Sequence, residues 1–279
     1  MITIPVAVAL PTFEKQISFF QFQHLNVYGN NAKAIIPIVK YNFFNDTPVN
    51  KVDWDLKLPY KLVDSIFDYI DYKERWYIPI NLFYAAKQVI ESLNDHEVVE
   101  IIDADLVHLK QYPKQYDSID YNSIIVDTTY EDWHMHIANV DGANRHIISD
   151  YLCHNDNIYI NGGFNVIGRV KTIKSIMNDI IEYSIKIAKD QKDNNHGWWC
   201  AMYGLNIACH NNHIKMISEQ NCYYPSLNKL EDKHYIAHYS VDKIFNKHKI
   251  PNVSINEFPN NLFYNKAKEW LGHKYGLTT

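Results

Sequence analysis

The first half of the chain alternates between two kinds of apolar pattern. The runs IPVAVAL, AKAIIPIVKYN (apolar from Ile35 to Val39) and EVVEIIDADL are short, nearly continuous and rich in Val and Ile, which marks strands buried on both faces. Between the second and third, INLFYAAKQVIESL puts Leu82, Phe83, Ala86, Val89, Ile90 and Leu93 at the spacing of one helix face. Strands alternating with helices predict a mostly parallel sheet with helices packed against it. Such sheets bind ligands beyond the carboxyl ends of their strands, where Pro11-Thr12 and Asp103-Ala104-Asp105 both fall.

The second half changes character. A strand SIIVDTTY (Ser123 to Tyr130) leads into EDWHMHIANVDGANRHI, which follows no period. A strand with two central glycines, IYINGGFNVIGR, precedes VKTIKSIMNDIIEYSIKIAKDQ, whose Ile173, Ile176, Met177, Ile180, Ile181, Ser184 and Ile187 predict a long amphipathic helix. GWWCAMYGLNIACHN predicts a second helix, and the segment from Ser254 to Thr279 a short helix near Asn265 to Leu271 within a wrap over the core. Neither a repeat nor a Gly/Ser linker interrupts the chain, so residues 1–279 are expected to form a single domain.

Composition narrows the function. A net charge of −5 and a pI near 6.3 give no positive field to hold a phosphate backbone or an anionic membrane, so no nucleic-acid partner is expected. Cys153, Cys200, Cys209 and Cys222 show neither a C-x-x-C pair nor zinc-finger spacing and are expected to be reduced, mostly buried thiols. MITIPVAVALPTF lacks a basic start and is bracketed by Pro5 and Pro11, so it reads as a first strand rather than a secretory signal. No run reaches the ~18 apolar residues of a membrane span. A soluble protein of a reducing compartment such as the cytoplasm is expected, in which the sequons at Asn45 and Asn252 have no role.

The chemistry centres on Asp103 and Asp105. A lone Asp-x-Asp is common, and solvated turn carboxylates are its plain explanation. Here a strand and a helix precede it and Leu106-Val107 follow, so burial of two charges needs a neutralising partner. Mn2+ or Mg2+ takes hard oxygen ligands and completes its shell from substrate phosphates, which suits a metal–diphosphate complex. DADLV also satisfies the Asp-x-Asp-x-Thr/Val pattern of haloacid-dehalogenase-type phosphatases, whose first Asp is a nucleophile. The Gly-Asp and Asp-Asp pairs of those phosphatases are absent. No G-x-G-x-x-G points to a dinucleotide-binding oxidoreductase.

A wider resemblance favours transfer of a sugar. The succession INLFYAAKQVIESLNDHEVVEIIDADLVHL, INGGFNVIGRVKTIKSI, GWWCAMYGLNIACHNNHIKMI and KHYIAHYSV, covering Asn81 to Val241, resembles GT-A type glycosyltransferases, in particular the plant and algal peptidyl-serine galactosyltransferases and hydroxyproline arabinosyltransferases. In size the chain is similar to the capsid-glycan glycosyltransferases of large algal DNA viruses, a xylosyltransferase among them, and its richness in Asn, Ile, Lys and Tyr would suit an AT-biased viral genome. The resemblance implies an α/β, GT-A-like (Rossmann-like) fold with a mixed, mostly parallel sheet flanked by helices. Residues 1–120 would be the nucleotide-donor half and 121–279 the acceptor half with its C-terminal wrap.

It also implies roles. Asp103, Asp105 and His238 would hold the metal; Pro11 and Thr12 would line the base pocket; Asn81 would begin a helix leaning over the donor. Asn161, Gly162 and Gly163 would let the backbone approach the transferred sugar, and Lys243 or Lys247 would share the diphosphate charge. Among 14 histidines, His238 in an apolar, β-like setting is otherwise a hydrogen-bonded core residue, and His234 and His238 form an H-x-x-x-H without the helix and Glu of zinc proteases. Trp133, Trp198 and Trp199 are candidate acceptor platforms, with core packing the plainer role. The related enzymes carry a Glu before Met-Tyr where this chain has Ala201, which leaves Asp193, Asp190, Asp132 or Glu131 as candidate bases. The expected activity is transfer of a sugar from a nucleotide-diphosphate donor, a UDP-sugar such as UDP-xylose, to a glycan or glycoprotein. The alternatives are the phosphatase and a sugar-binding module without turnover; a sugar nucleotidyltransferase would need a Gly-rich loop that ALPTFEKQ lacks.

Overall fold

The computed structural model describes residues 1–42, 47–66, 77–127, 151–153, 165–190, 200–225, 228–239, 242–246 and 248–277. Among them the elements run β1 (Ile2–Val8), α1 (Pro11–Tyr28), β2 (Ile36–Val39), β3 (Tyr41–Asn42), β4 (Thr47–Pro48), β5 (Tyr60–Val63), α2 (Tyr77–Ile90), β6 (Val98–Asp103), β7 (Leu106–His108), β8 (Ser123–Asp127), β9 (Asn165–Arg169), α3 (Val170–Asp190), α4 (Cys200–Asn211), β10 (Lys215–Glu219), β11 (Cys222–Tyr223), β12 (Ile236–His238) and α5 (Leu262–Tyr275).

A seven-stranded sheet has the order β10-β8-β9-β6-β1-β2-β5. Its neighbours pair in parallel except at β9, which runs antiparallel to both β6 and β8. The sheet is therefore mixed and mostly parallel, as expected. β1 lies inside the sheet between β6 and β2 and buries all seven residues, which explains its uninterrupted apolar sequence. A second sheet, β11-β12-β7, and the small β3-β4 pair stand apart from it.

Two cores cover the two faces of the main sheet. Ile2, Ile4, Val6 and Val8 face a core built with α2, α3 and α4. Ala7, Ile36, Ile38 and Ile102 face the other, which is closed by α1, the three-stranded sheet and the C-terminal segment. There Phe19 of α1 lies among Tyr239, Phe245, Phe263 and Trp270, with ring centroids 4.8–6.4 Å apart. Both cores mix residues from before and after position 120.

Some sequence expectations need correction. The helix α1 replaces a stretch for which the pattern gave none. Pro11 starts it, where the missing N–H costs nothing, and Gly29 at φ 56 ends it. The C-terminal helix runs over Leu262–Tyr275, longer than the seven residues expected, because Asn261 caps its start by accepting from Tyr264 N at 3.1 Å and Gly276 at φ 66 ends it. Cys153 is exposed, whereas Cys200, Cys209 and Cys222 are buried, and all four are free. Among the described residues, no helix is long and apolar enough to cross a membrane.

Candidate active site

The strand β6 delivers Asp103 to the carboxyl edge of the main sheet, level with Val6 of β1. Ala104 is fully buried, Asp105 is 2 % exposed, and β7 begins at the next residue. The chain thus crosses from one sheet to the other within this turn. β7 runs antiparallel to β12 with Leu106 opposite His238, and that register sets His238 beside the turn. His238 Nε2 lies 3.1 Å from Asp105 Oδ1, and Tyr239 N donates to the Asp105 carbonyl at 3.3 Å. His238 is buried in a β-strand, so its apolar setting and its contact with Asp105 coexist.

A second carboxylate stands at the same edge. In the ladders Ile101 and Val126 both pair with Val166, so Asp127 at the end of β8 lies level with Ile102, two strand positions from β6 and roughly 10 Å away. Asp127 is buried and accepts from the Tyr224 hydroxyl at 3.1 Å, and the Tyr224 ring meets His238 edge-on at 5.3 Å. Asp105, His238, Tyr224 and Asp127 form one cluster along the carboxyl ends of β6 and β8. Burial pushes the Cys222 thiol well up, and the Asp127 and Asp105 carboxylates push it further, so this cysteine is an uncharged packing group. Burial likewise raises the Tyr224 phenol, with Cys222 and Asp127 adding to the shift, which keeps it a hydrogen-bond donor.

The other candidates scatter around this cluster. Exposed Pro11 and half-buried Thr12 open α1 directly after β1, at the carboxyl edge. Asn81 lies inside α2, which starts at Tyr77 rather than at Asn81. It is buried, and its Oδ1 accepts from Ile66 N at 2.8 Å and from the Ser65 hydroxyl at 3.5 Å, which fixes the segment before the helix. Lys243 is exposed, in a segment pinned by Asp242, whose carboxylate accepts from Phe245 N and the Tyr264 hydroxyl at 2.9 Å each. Asp190 ends α3 and accepts from the Tyr151 hydroxyl. Ala201 is buried in the core under α4, as a packing residue. Glu131, Asp132, Trp133, Asn161, Gly162, Gly163, Asp193, Trp198, Trp199 and Lys247 lie outside the described residues.

Asp105 and His238 bring a carboxylate and an imidazole together, donor types that Mn2+ accepts, with Asp103 two residues before Asp105. Among the described residues no group of three His, Cys, Asp or Glu already forms a cation cage. That donor set fits an ion that completes its shell from a substrate phosphate.

No family model matches the chain, and no curated protein sequence does. Solved structures do. The galactosyltransferase LgtC in complex with donor and acceptor sugar analogues is similar with a TM-score of 0.57 and 13% identity, over 100% of this chain and 97% of that one. An LgtC with an active-site Gln-to-Glu change is similar with a TM-score of 0.56 and 11% identity, over 98% and 96%. The fold is the GT-A fold. In this GT-A chain the carboxyl ends of β1, β6 and β8 lie along one edge of the sheet, with β9 between β6 and β8, and two residues found there were not expected from the sequence. Asp127 carried a usable signal, since it too is an Asp at the end of an apolar strand. Tyr224 carried none, because its partner is 97 residues away in sequence.

Proposed function

We propose that the chain is a metal-dependent glycosyltransferase that moves a sugar from a nucleoside-diphosphate donor to a glycan or glycoprotein acceptor. The observation that carries this reading is the contact of Asp105 with His238 at the turn after β6, at the same sheet edge as Pro11-Thr12 and Asp127. Asp103, Asp105 and His238 would hold Mn2+ or Mg2+, which when bound supplies positive charge to the departing diphosphate. Lys243 adds an ammonium from the exposed side. The carboxylate of Asp127, held by the Tyr224 hydroxyl, is fixed where it can accept from a sugar hydroxyl. Tyr224 and Tyr239 wall the turn with apolar surface that excludes water. Donor and acceptor lie beyond what the fold assigns; the subgroup the sequence resembles makes UDP-sugars, UDP-xylose included, the first to try.

The test is titration calorimetry of uridine, guanosine, cytidine and adenosine diphosphates with and without Mn2+, on the wild type and Asp105→Ala. One nucleotide should bind only with Mn2+, and the variant should lose that binding. Absence of any metal-dependent nucleotide binding in the wild type sinks the proposal and returns attention to phosphatase substrates. Slow metal-dependent hydrolysis of the cognate nucleotide sugar separates a transferase from a sugar-binding module, which would show none.

A further inference from the structure

Glu100 is a buried acid to which the proposed chemistry gives no task. It sits in β6, three residues before Asp103, and is fully buried. Thr3 of β1 donates to its Oε2 at 2.9 Å, His108 Nε2 of β7 meets the same oxygen at 2.9 Å, and the Tyr112 hydroxyl donates to Oε1 at 2.8 Å. Asn165 of β9 donates in turn to that hydroxyl at 2.9 Å, and His108 Nδ1 faces His24 Nδ1 of α1 at 3.3 Å. Burial by itself would raise the Glu100 carboxyl, but the charge of His108 and the three hydrogen bonds outweigh it and leave it below its ordinary value. Burial first, and the His108 charge second, push His24 down to about 3. His24 is therefore neutral.

Stability is a poor reason to keep such a pair, because apolar side chains of similar volume in its place are commonly neutral or stabilising. Topology offers a better one. β6 and β7 belong to different sheets and share no backbone ladder, so the turn between them is not held by strand pairing. The bond from Glu100 to His108 joins its two arms at equal distance, three residues before Asp103 and three after Asp105. On the far side the turn is met by Tyr239 N and His238.

We propose that Glu100 and His108 are positioning residues, a brace between the two sheets that fixes the Asp103–Asp105 turn so that its carboxylates meet a divalent cation and a diphosphate together. The inference rests on the transferase reading. Neither residue touches the ligand; both act through the turn.

The test titrates uridine diphosphate, or guanosine diphosphate where the uridine compound gives no heat, into wild type, Glu100→Gln, His108→Phe, His108→Gln and Thr3→Val. Each is measured with and without Mn2+, well below its own melting midpoint. Loss of outer partners of metal ligands typically weakens metal affinity about 10–100-fold, so Glu100→Gln and His108→Phe should lose about tenfold or more in the Mn2+-dependent component alone. His108→Gln keeps an N–H near the Nε2 position and should recover most of that loss. Thr3→Val removes a donor to the same carboxylate without touching the turn, and should lower the melting midpoint while leaving Mn2+-dependent affinity intact. Wild type that binds none of the uridine, guanosine, cytidine and adenosine diphosphates with Mn2+ overturns the transferase reading and the brace with it. Wild type that binds, together with folded brace variants that bind as tightly, overturns the brace alone. Should Glu100→Gln fail to fold, equal affinity of the two His108 variants overturns it.

Discussion

Asp127 and Tyr224 divide the work of one hydrogen bond in a way that substitution can separate. Removing the Tyr224 hydroxyl takes a donor from a buried carboxylate, and such losses cost about 1–3 kcal/mol. Tyr224→Phe should therefore lower the melting temperature measurably while leaving the Asp127 carboxylate in place. Asp127→Asn keeps the volume and much of the hydrogen bonding but removes the charge. It should melt near the wild type and lose at least about tenfold in sugar-donor kcat/KM, roughly the worth of one charged hydrogen bond. Thermal melts beside steady-state kinetics on both variants check the split; an Asp127→Asn enzyme with wild-type kinetics would remove Asp127 from the site.

At the scale of elements, α3 and α4 cross unusually closely. A Cβ on Gly204 would lie 2.2 Å from Ser184 Oγ and 2.6 Å from the Ile180 carbonyl oxygen, and Ser184 already donates to that carbonyl at 2.5 Å. Helix propensity favours Ala over Gly, yet the crossing reverses the sign. Gly204→Ala should destabilise the protein by about 1–3 kcal/mol in urea unfolding, as overpacked cores do. The helices α2 and α3 were legible in the sequence because their buried faces are aliphatic and repeat at helical spacing, whereas α4 is buried nearly all round, from Cys200 to Cys209. The helix α1 was not legible, because its buried face includes Gln16, Gln21, Gln23 and His24. Gln21 meets the backbone of Asp55 and Lys57, Gln23 that of Lys266, and His24 meets His108. These partners lie far away in sequence, so no local pattern exposes them. The edge strand β10 was hidden for the opposite reason, since exposed Lys215 and Ser218 dilute its apolar content. The Asp103–Asp105 turn was readable as the end of a strand, and the β-like setting of His238 was readable too. Their meeting was not, because it depends on the register of β7 against β12.

For the whole molecule, the buried network around Glu100 sets a response to acid. His24 titrates at about 3 in the folded chain against an ordinary 6.5, so below pH 6.5 the unfolded chain binds more protons and stability falls as the pH drops. Between pH 7.5 and 5.5 this one group withdraws about 1.4 kcal/mol, from the ordinary histidine value alone. Glu100 acts lower: its carboxyl is depressed from 4.5, so its contribution is present above that value and is lost as the pH falls through the folded value. The groups around His24 are His108, Glu100, Tyr28 and the Phe20 ring. Urea midpoints across this range should fall with acid in the wild type. His24→Gln should flatten the fall between pH 7.5 and 5.5; an unchanged slope would locate the proton uptake elsewhere.

The aromatic cluster that closes the second core has a temporal side. Phe19 and Phe20 are made more than 200 residues before Phe245, Phe258, Phe263 and Trp270, with which they share that core. A nascent chain halted before Phe245 would leave the aromatic side of this core open around Phe19, and such surface draws chaperones and invites clumping. The second core therefore cannot close until α5 has been made.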